Sequence, residues 1–312
     1  MVPRGPFLAA SAAALGAAAG GRASAQTRIP LHIGAAANDS FAEAYYAQQL
    51  GYFDRAGFDV EITNFGGGAQ VTTGVESGAI DIGISSVISL AIATVRGLPF
   101  VYIAGGGIYT ADKPTLALCV AKDSPLHGAH DLEGKTISIS GIKDLTHLSV
   151  FVYMLKSGAD PTKVSFIELP FSQVGAALQR GTIAAGIISE PSLSAAVDDV
   201  RILAYAESYI AKRLMVAGWF STMEWFKKNM AAAHAFARVI YDAGRWANAN
   251  QDKSLLLLDK YAKLEPNAHP MARAVFLESL PPDMIDPTLE LAGRLKFTDR
   301  RVRASEMIAP GM

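Results

Sequence analysis

The chain has 312 residues, of which 50% are hydrophobic and 18% charged, and its formal net charge is −1. That length is enough for about two domains around a large buried core. The near-neutral charge, with no basic patch interleaved with aromatics, excludes a nucleic-acid surface, and a single cysteine, Cys119, excludes a disulfide within the chain.

The N-terminus reads as a secretory signal peptide. Arg4 is a short positive n-region, Phe7 to Ala19 is apolar, and Ala23-Ser24-Ala25 is an A-x-A cleavage site before Gln26. The apolar run is broken by Gly20, Gly21 and Arg22 and is too short to span a bilayer. Residues 1–25 are therefore expected to be removed and the remainder exported, to a bacterial periplasm. Losing Arg4 and Arg22 lowers the net charge by two, to about −3.

The first strand is expected at Pro30–Ala36. Ser40 and Glu43 form an S-x-x-E capping box that opens a helix through Leu50, ended by Gly51. Phe58–Thr63 alternates apolar and polar residues, as a half-exposed strand does. Gly66-Gly67-Gly68 leads into a helix ending near Gly78. Ile80–Ile84 is a buried strand, Ser85-Ser86 caps a helix that stops at Gly97, and Phe100–Ala104 is a third strand. Each strand of this run ends in Gly or Ser. Strand–helix alternation implies a parallel sheet with right-handed crossovers, and ligands bind such sheets at the carboxyl ends of strands, near helix N-termini.

Tyr109 to Pro114 reads as a crossing into a second βα block. There the strands are Thr115–Ala121, Thr136–Ser140, Val164–Leu169, Ala184–Ser189 and Arg201–Tyr205. The helices are Thr146–Lys156, Gln173–Arg180 and Ser192–Val197. Cys119 lies in the apolar run TLALCVA and reads as a small core residue. Leu214–Phe220 is one return strand, and everything beyond it is expected to be helical. In 231–250, Phe236, Val239, Ile240, Ala243 and Trp246 fall on one helical face, a core stripe. Leu255–Leu258 and Ala272–Leu280 continue that pattern.

Five segments carry a resemblance to a known family: GYFDRAGFDVEI, VESGAIDIGISS, RGLPFVYIA, KDSPLHGAHDLEGKTISI and IISEPSLSAA. In this order and spacing the chain resembles the periplasmic substrate-binding proteins of ABC importers. It is most similar to the nitrate/sulfonate/taurine group, which also includes binders of thiamine-pyrimidine precursors. The resemblance implies an α/β, two-lobed type II periplasmic-binding-protein fold with a ligand cleft between the lobes and a helical C-terminal part. Residues 27–112 plus 215–312 would form lobe I, and 113–214 lobe II. It implies a small-molecule ligand, delivery to an inner-membrane permease, a monomer, and no cofactor, metal or catalytic role.

Candidate ligand contacts follow. Gly67 and Gly68 lie where backbone N–H groups and a helix dipole would hold an anion. One of Ser85 and Ser86 is an N-cap, and the other offers a hydroxyl. Asn38 would donate an amide; Phe41 either walls the pocket or is core. In lobe II, Gly141 lies in the turn between strand and helix, and Lys143 either supplies a cation or is solvated. Thr146 is a cap, and His147 opens the helix. Glu190, before Pro191, either receives a ligand donor or joins the lobes by a hydrogen bond. Tyr109 stacks on ligand or lines the hinge. No arginine clamp is evident between Asn38 and Glu190, because the arginines of that stretch, Arg55, Arg96 and Arg180, lie away from strand ends. A neutral or aromatic ligand is thus as compatible as an oxyanion.

Two other functions compete. An enzyme on the same fold, related to thiamine-pyrimidine precursor synthesis, would need the cysteine-rich iron motif of that group, and Cys119 is alone. A periplasmic ligand-sensing partner would use the same cleft.

Overall fold

The computed structural model describes Met1 and residues 28–36, 38–65, 68–262 and 272–312. The rest of the expected signal peptide and Gly67 lie outside these residues.

Thirteen strands occur among the described residues, in three sheets. In chain order they are β1 (Ile29–Ala35), β2 (Phe58–Asn64), β3 (Ile82–Ser86), β4 (Phe100–Gly105), β5 (Gly107–Thr110), β6 (Leu116–Ala121) and β7 (Thr136–Ile139). Then come β8 (Ser165–Glu168), β9 (Ala185–Ser189), β10 (Val200–Ala204), β11 (Arg213–Met215), β12 (Ala217–Thr222) and β13 (Val275–Phe276).

The first sheet has the order β2-β1-β3-β12-β4. β1 runs parallel to β2 and β3, as the βα alternation implies. β2 is an edge strand and keeps its alternation, with Phe58 buried and Asp59 exposed. β4 is buried along its whole length, because helices cover both faces of the sheet. The helix Met230–Ala249 lays Phe236, Val239, Ile240 and Ala243 on one face, where Phe236 meets Phe53 at 6.0 Å and Trp219 at 5.5 Å. Phe236, Val239 and Ile240 each contribute roughly 1.5–3 kcal/mol by leaving water. On the other face Val71, Val87, Leu90 and Tyr102 form a second core.

The second sheet, β10-β6-β9-β7-β8, forms the other lobe. β7 pairs in parallel with β8 and β9, while β6 is antiparallel to β9 and β10. Cys119 is fully buried here, and burial pushes its thiol up to about 12. The two chain crossings, β5 and β11, pair with each other, Tyr109 opposite Leu214, and β13 adds a third strand to them.

Three local expectations are corrected. The Ser40–Glu43 capping box does not form. Residues Asp39–Phe41 make a 3-10 turn, and the helix starts at Glu43 with no side-chain cap. Ser40 is instead pressed against the hinge, where a Cβ on Gly107 would stand 2.9 Å from its own Cβ. The expected strand Leu214–Phe220 is two strands. Val216 divides them, its N–H held by the Gly107 carbonyl at 2.9 Å as the chain leaves the hinge for the first sheet. Finally, the segment Ala272–Leu280 is extended rather than helical. Asn248 takes both backbone groups of Phe276, each at 2.9 Å, and so replaces the bonds a helix would supply.

Candidate functional site

The strand ends of β1, β3, β7 and β9 bring the chemistry-bearing residues towards the junction of the lobes. After β1 the chain turns through Asn38, which is half-buried with its Oδ1 lacking a partner. Asp39 follows and is fully buried. It accepts from Arg273 Nε at 3.0 Å and Nη2 at 2.7 Å, from the Ala274 N–H at 2.6 Å and from the Tyr46 hydroxyl at 3.3 Å. Arg273 Nη1 donates to the Gln251 carbonyl at 2.7 Å, and Nη2 also reaches the Tyr46 hydroxyl at 2.8 Å. This buried fork pins the C-terminal segment to the first βα turn. Removing one partner of such a pair costs about 3–5 kcal/mol. Phe41 lies in the core of the first lobe.

Glu43, 1% exposed, sits behind that turn beside the Trp219 indole N–H, with no well-formed hydrogen bond on either oxygen. Burial pushes its carboxyl up to about 8, so it is uncharged at neutral pH.

At the end of β3 the two serines divide their work. Ser86 is the N-cap of the helix Val87–Val95 and accepts from the Ser89 N–H at 3.2 Å. Ser85 is buried and donates to the Gly68 carbonyl at 3.3 Å, while Thr72 donates to both Gly68 O and Ser85 Oγ. Gly68 opens the helix Gly68–Glu76, and a Cβ there would meet Ser85 Oγ at 2.9 Å.

In the second lobe, the turn after β7 leads into the helix Leu145–Lys156. Its N-cap is Asp144, which accepts from the His147 N–H and the Thr146 hydroxyl, at 2.9 and 2.7 Å, and from the Ser140 hydroxyl. Thr146 in turn accepts from the Ser140 N–H at 3.0 Å, so it braces the turn from inside the first helical turn. Burial raises the Asp144 carboxyl. Lys143 is exposed with φ 60°, and Gly141 is half-buried beside Asp144. His147 Nδ1 accepts from the Lys143 N–H at 2.9 Å. Its ring packs on Phe166 at 4.3 Å and on Phe297 at 4.9 Å, tying the second lobe to the C-terminal segment. Burial, with Lys143 nearby, lowers it to about 4.

Glu190 follows β9 and is 3% exposed. Its carboxylate accepts from the Ser194 N–H at 3.0 Å and hydroxyl at 2.9 Å, and the Ala272 N–H also faces it. Burial raises its pKa, and Asp39 across the junction raises it further. The hinge is tied separately. Tyr109 shares a 2.6 Å hydrogen bond with Ser208, and neighbouring Glu207, fully buried, meets Ser149 at 3.0 Å. Burial pushes Glu207 up to about 7. A surface depression of about 920 Å³ lies elsewhere. It is lined by Lys122, Lys135, Thr136 and Ala184 at the opposite end of the second sheet from Glu190.

The arrangement is one of caps, forks and strand ends. Among the described residues no group of three His, Cys, Asp or Glu is placed to hold a metal, and no helix is long and apolar enough to cross a membrane. Arg273 and Asp144 are among the residues that sequence reasoning passed over. Arg273 stands 234 positions from its partner, and Asp144 competes with Thr146 two residues away for the same capping role.

The NMT1/THI5-like family pattern matches residues 38–254. The chain belongs to the NMT1/THI5-like family. The chain is 26% identical over 213 residues to the taurine-binding periplasmic protein of Escherichia coli (strain K12), covering 67% of this chain and 64% of that one. It is also 26% identical over 170 residues to a 4-amino-5-hydroxymethyl-2-methylpyrimidine phosphate synthase of Legionella pneumophila, covering 53% and 50%. It thus spans less than two thirds of the length of these curated relatives. In fold it is similar to the alkanesulfonate-binding protein SsuA of Xanthomonas axonopodis pv. citri bound to MOPS. The TM-score is 0.72 at 20% identity, over 89% of this chain and 97% of that one. The two-lobed periplasmic-binding-protein architecture is that of this NMT1/THI5-like chain.

Proposed function

We propose that this NMT1/THI5-like protein is the periplasmic solute-binding component of an ABC importer. It captures a small organic molecule between its lobes and hands it, as a monomer, to an inner-membrane permease. One observation carries this reading. Two sheets are joined, among the described residues, by the paired crossings β5 and β11, and Asp39 after β1 and Glu190 after β9 come near enough for their charges to interact. Hinged closure around a ligand is what such a connection permits. The taurine-binding relative and the sulfonate-binding neighbour support it. We assign ligand contact to Asn38, the backbone at Gly67 and Gly68, Gly141, Lys143 and Glu190. Ser85, Ser86, Thr146, His147, Tyr109 and Phe41 shape the walls and the hinge. The division into lobe I (27–112 with 215–312) and lobe II (113–214) belongs to the same proposal.

The exported chain, tested by thermal shift against sulfonates, nitrate, aromatic carboxylates, amines and pyrimidines, should respond strongly to one class. A ligand at about 100 times its Kd adds about 2.7 kcal/mol to the state it binds. A protein that shows no shift and instead turns over one of these compounds is an enzyme, the second reading, which the pyrimidine-synthase relative favours.

A further inference from the structure

A side chain from beyond the last crossing also ties the lobes. The helix Asp286–Arg294 packs on the first sheet's lobe, where Ile285 and Leu289 share a core with Val87 and Leu90. It ends in a paired turn. The Phe297 N–H donates to the Ala292 carbonyl at 2.8 Å, and the Lys296 N–H donates to the Gly293 carbonyl at 3.3 Å. Lys296 has φ 59°, the left-handed position that helix ends more often give to glycine. In such turns the next side chain commonly packs back on its own helix. Here the residue whose carbonyl closes the turn is Ala292, which offers a single methyl, and the Phe297 ring reaches on to the second lobe.

Its partners there are His147 and Phe151, one turn apart on the helix Leu145–Lys156. The ring centroids stand 4.9 and 5.5 Å away, and the planes cross at 66° and 80°, the edge-to-face geometry that aromatic pairs favour. Phe166 of β8 backs the His147 ring, and the Lys143 N–H fixes its Nδ1. Phe297 is left 5% exposed. The helix that receives it is itself tied to the hinge. Ser149 meets Glu207, Lys156 Nζ donates to the Tyr209 carbonyl at 2.7 Å, and the Tyr153 ring meets that of Tyr209 at 5.0 Å. All three contacts fall on the turn Ala206–Tyr209, which leads into β11. A pull at one end of this helix therefore reaches the crossing at the other. We propose that Phe297 is a strap, which holds the two lobes together in the absence of a ligand and whose release from His147 and Phe151 lets the cleft open. Such a strap serves a binder and an enzyme alike, because it sets the closing of the cleft and not what fills it.

The test uses the exported chain freed of small molecules by dialysis. Small-angle X-ray scattering reads its overall extension, and residual dipolar couplings of amides in the two sheets read the angle between them. In the parent chain, both sheets should fit the single orientation of the strapped structure. Phe297→Ala should raise the open-to-closed ratio about 10-fold, the order expected for two lost ring contacts, seen as a larger radius of gyration and a changed angle. Phe151→Ala should open the cleft from the other lobe, and Phe297→Leu should fall between parent and Phe297→Ala. Circular dichroism melts confirm that the variants fold, and if Phe297→Ala does not, Phe151→Ala carries the comparison. Folded variants that keep the parent's angle and radius overturn the proposal, as does a parent whose sheets already depart from the strapped orientation. An opening confined to the Phe297 variants overturns it too, because it then arises from the first lobe's own packing.

Discussion

Glu43→Gln should make the protein more stable as the solution becomes more alkaline, relative to the parent chain. Glu43 is buried without a well-formed hydrogen bond, and its carboxyl is pushed from an ordinary 4.5 to about 8. A carboxyl raised by folding binds its proton more tightly in the folded state. Its stabilising contribution is complete below 4.5 and is lost as pH rises through 8. The difference of about 3.5 units corresponds to about 5 kcal/mol over the whole window, at 1.36 kcal/mol per unit. Most of that change falls between pH 5 and 8. Glutamine keeps the shape and has no proton to lose, so the variant's stability lacks this slope. Urea denaturation of both proteins at pH 5, 6, 7 and 8 should show the gap widening steadily in favour of the variant. Glu207, raised to about 7 by burial, titrates in both proteins and cancels from the difference. A gap that stays level across this range refutes the reasoning, because it means that Glu43 reaches either water or a partner cation when folded.

Other perturbations are equally direct. Arg273→Met should cost about 3–5 kcal/mol in denaturant, since it strands the buried Asp39 carboxylate, and pairing it with Asp39→Leu should recover much of that loss. Ser86→Ala removes the cap on the helix Val87–Val95 and should cost about 1 kcal/mol in the same assay. His147, lowered to about 4, should keep constant imidazole chemical shifts between pH 5.5 and 8 in an NMR titration, and a midpoint near 6.5 would show that its aromatic packing is absent.

The architecture was legible wherever local pattern and tertiary fate agree. Strands ending in Gly or Ser, then amphipathic stretches, then the same rhythm again after residue 113, mark two βα blocks with a crossing between them, and the resemblance to periplasmic binding proteins implies the two lobes and their hinge. The stripe Phe236, Val239, Ile240 and Ala243 was readable because its partners are large apolar rings that any helix face of that spacing would seek. The failures share one cause, a distant group that claims a local backbone. Phe276, Leu277 and Leu280 mimic helical spacing, but Asn248 and Arg273 hold that stretch extended. β12 inserts antiparallel between β3 and β4, which no pattern within β12 announces. At the site, the residue types around each turn were apparent but their duties were not. Asp144 rather than Thr146 closes the helix, and the arginine sought near the strand ends arrives from position 273 and is consumed on arrival.

The lone cysteine has a practical side. With its sulfur wholly enclosed and its thiol pushed up to about 12, Cys119 holds almost no thiolate at neutral pH. The native surface is therefore silent towards maleimides and spin-label reagents. A cysteine introduced on each lobe would carry label at those two places alone, without replacing any native residue. The separation between the lobes then becomes a ruler that the unaltered core already provides for.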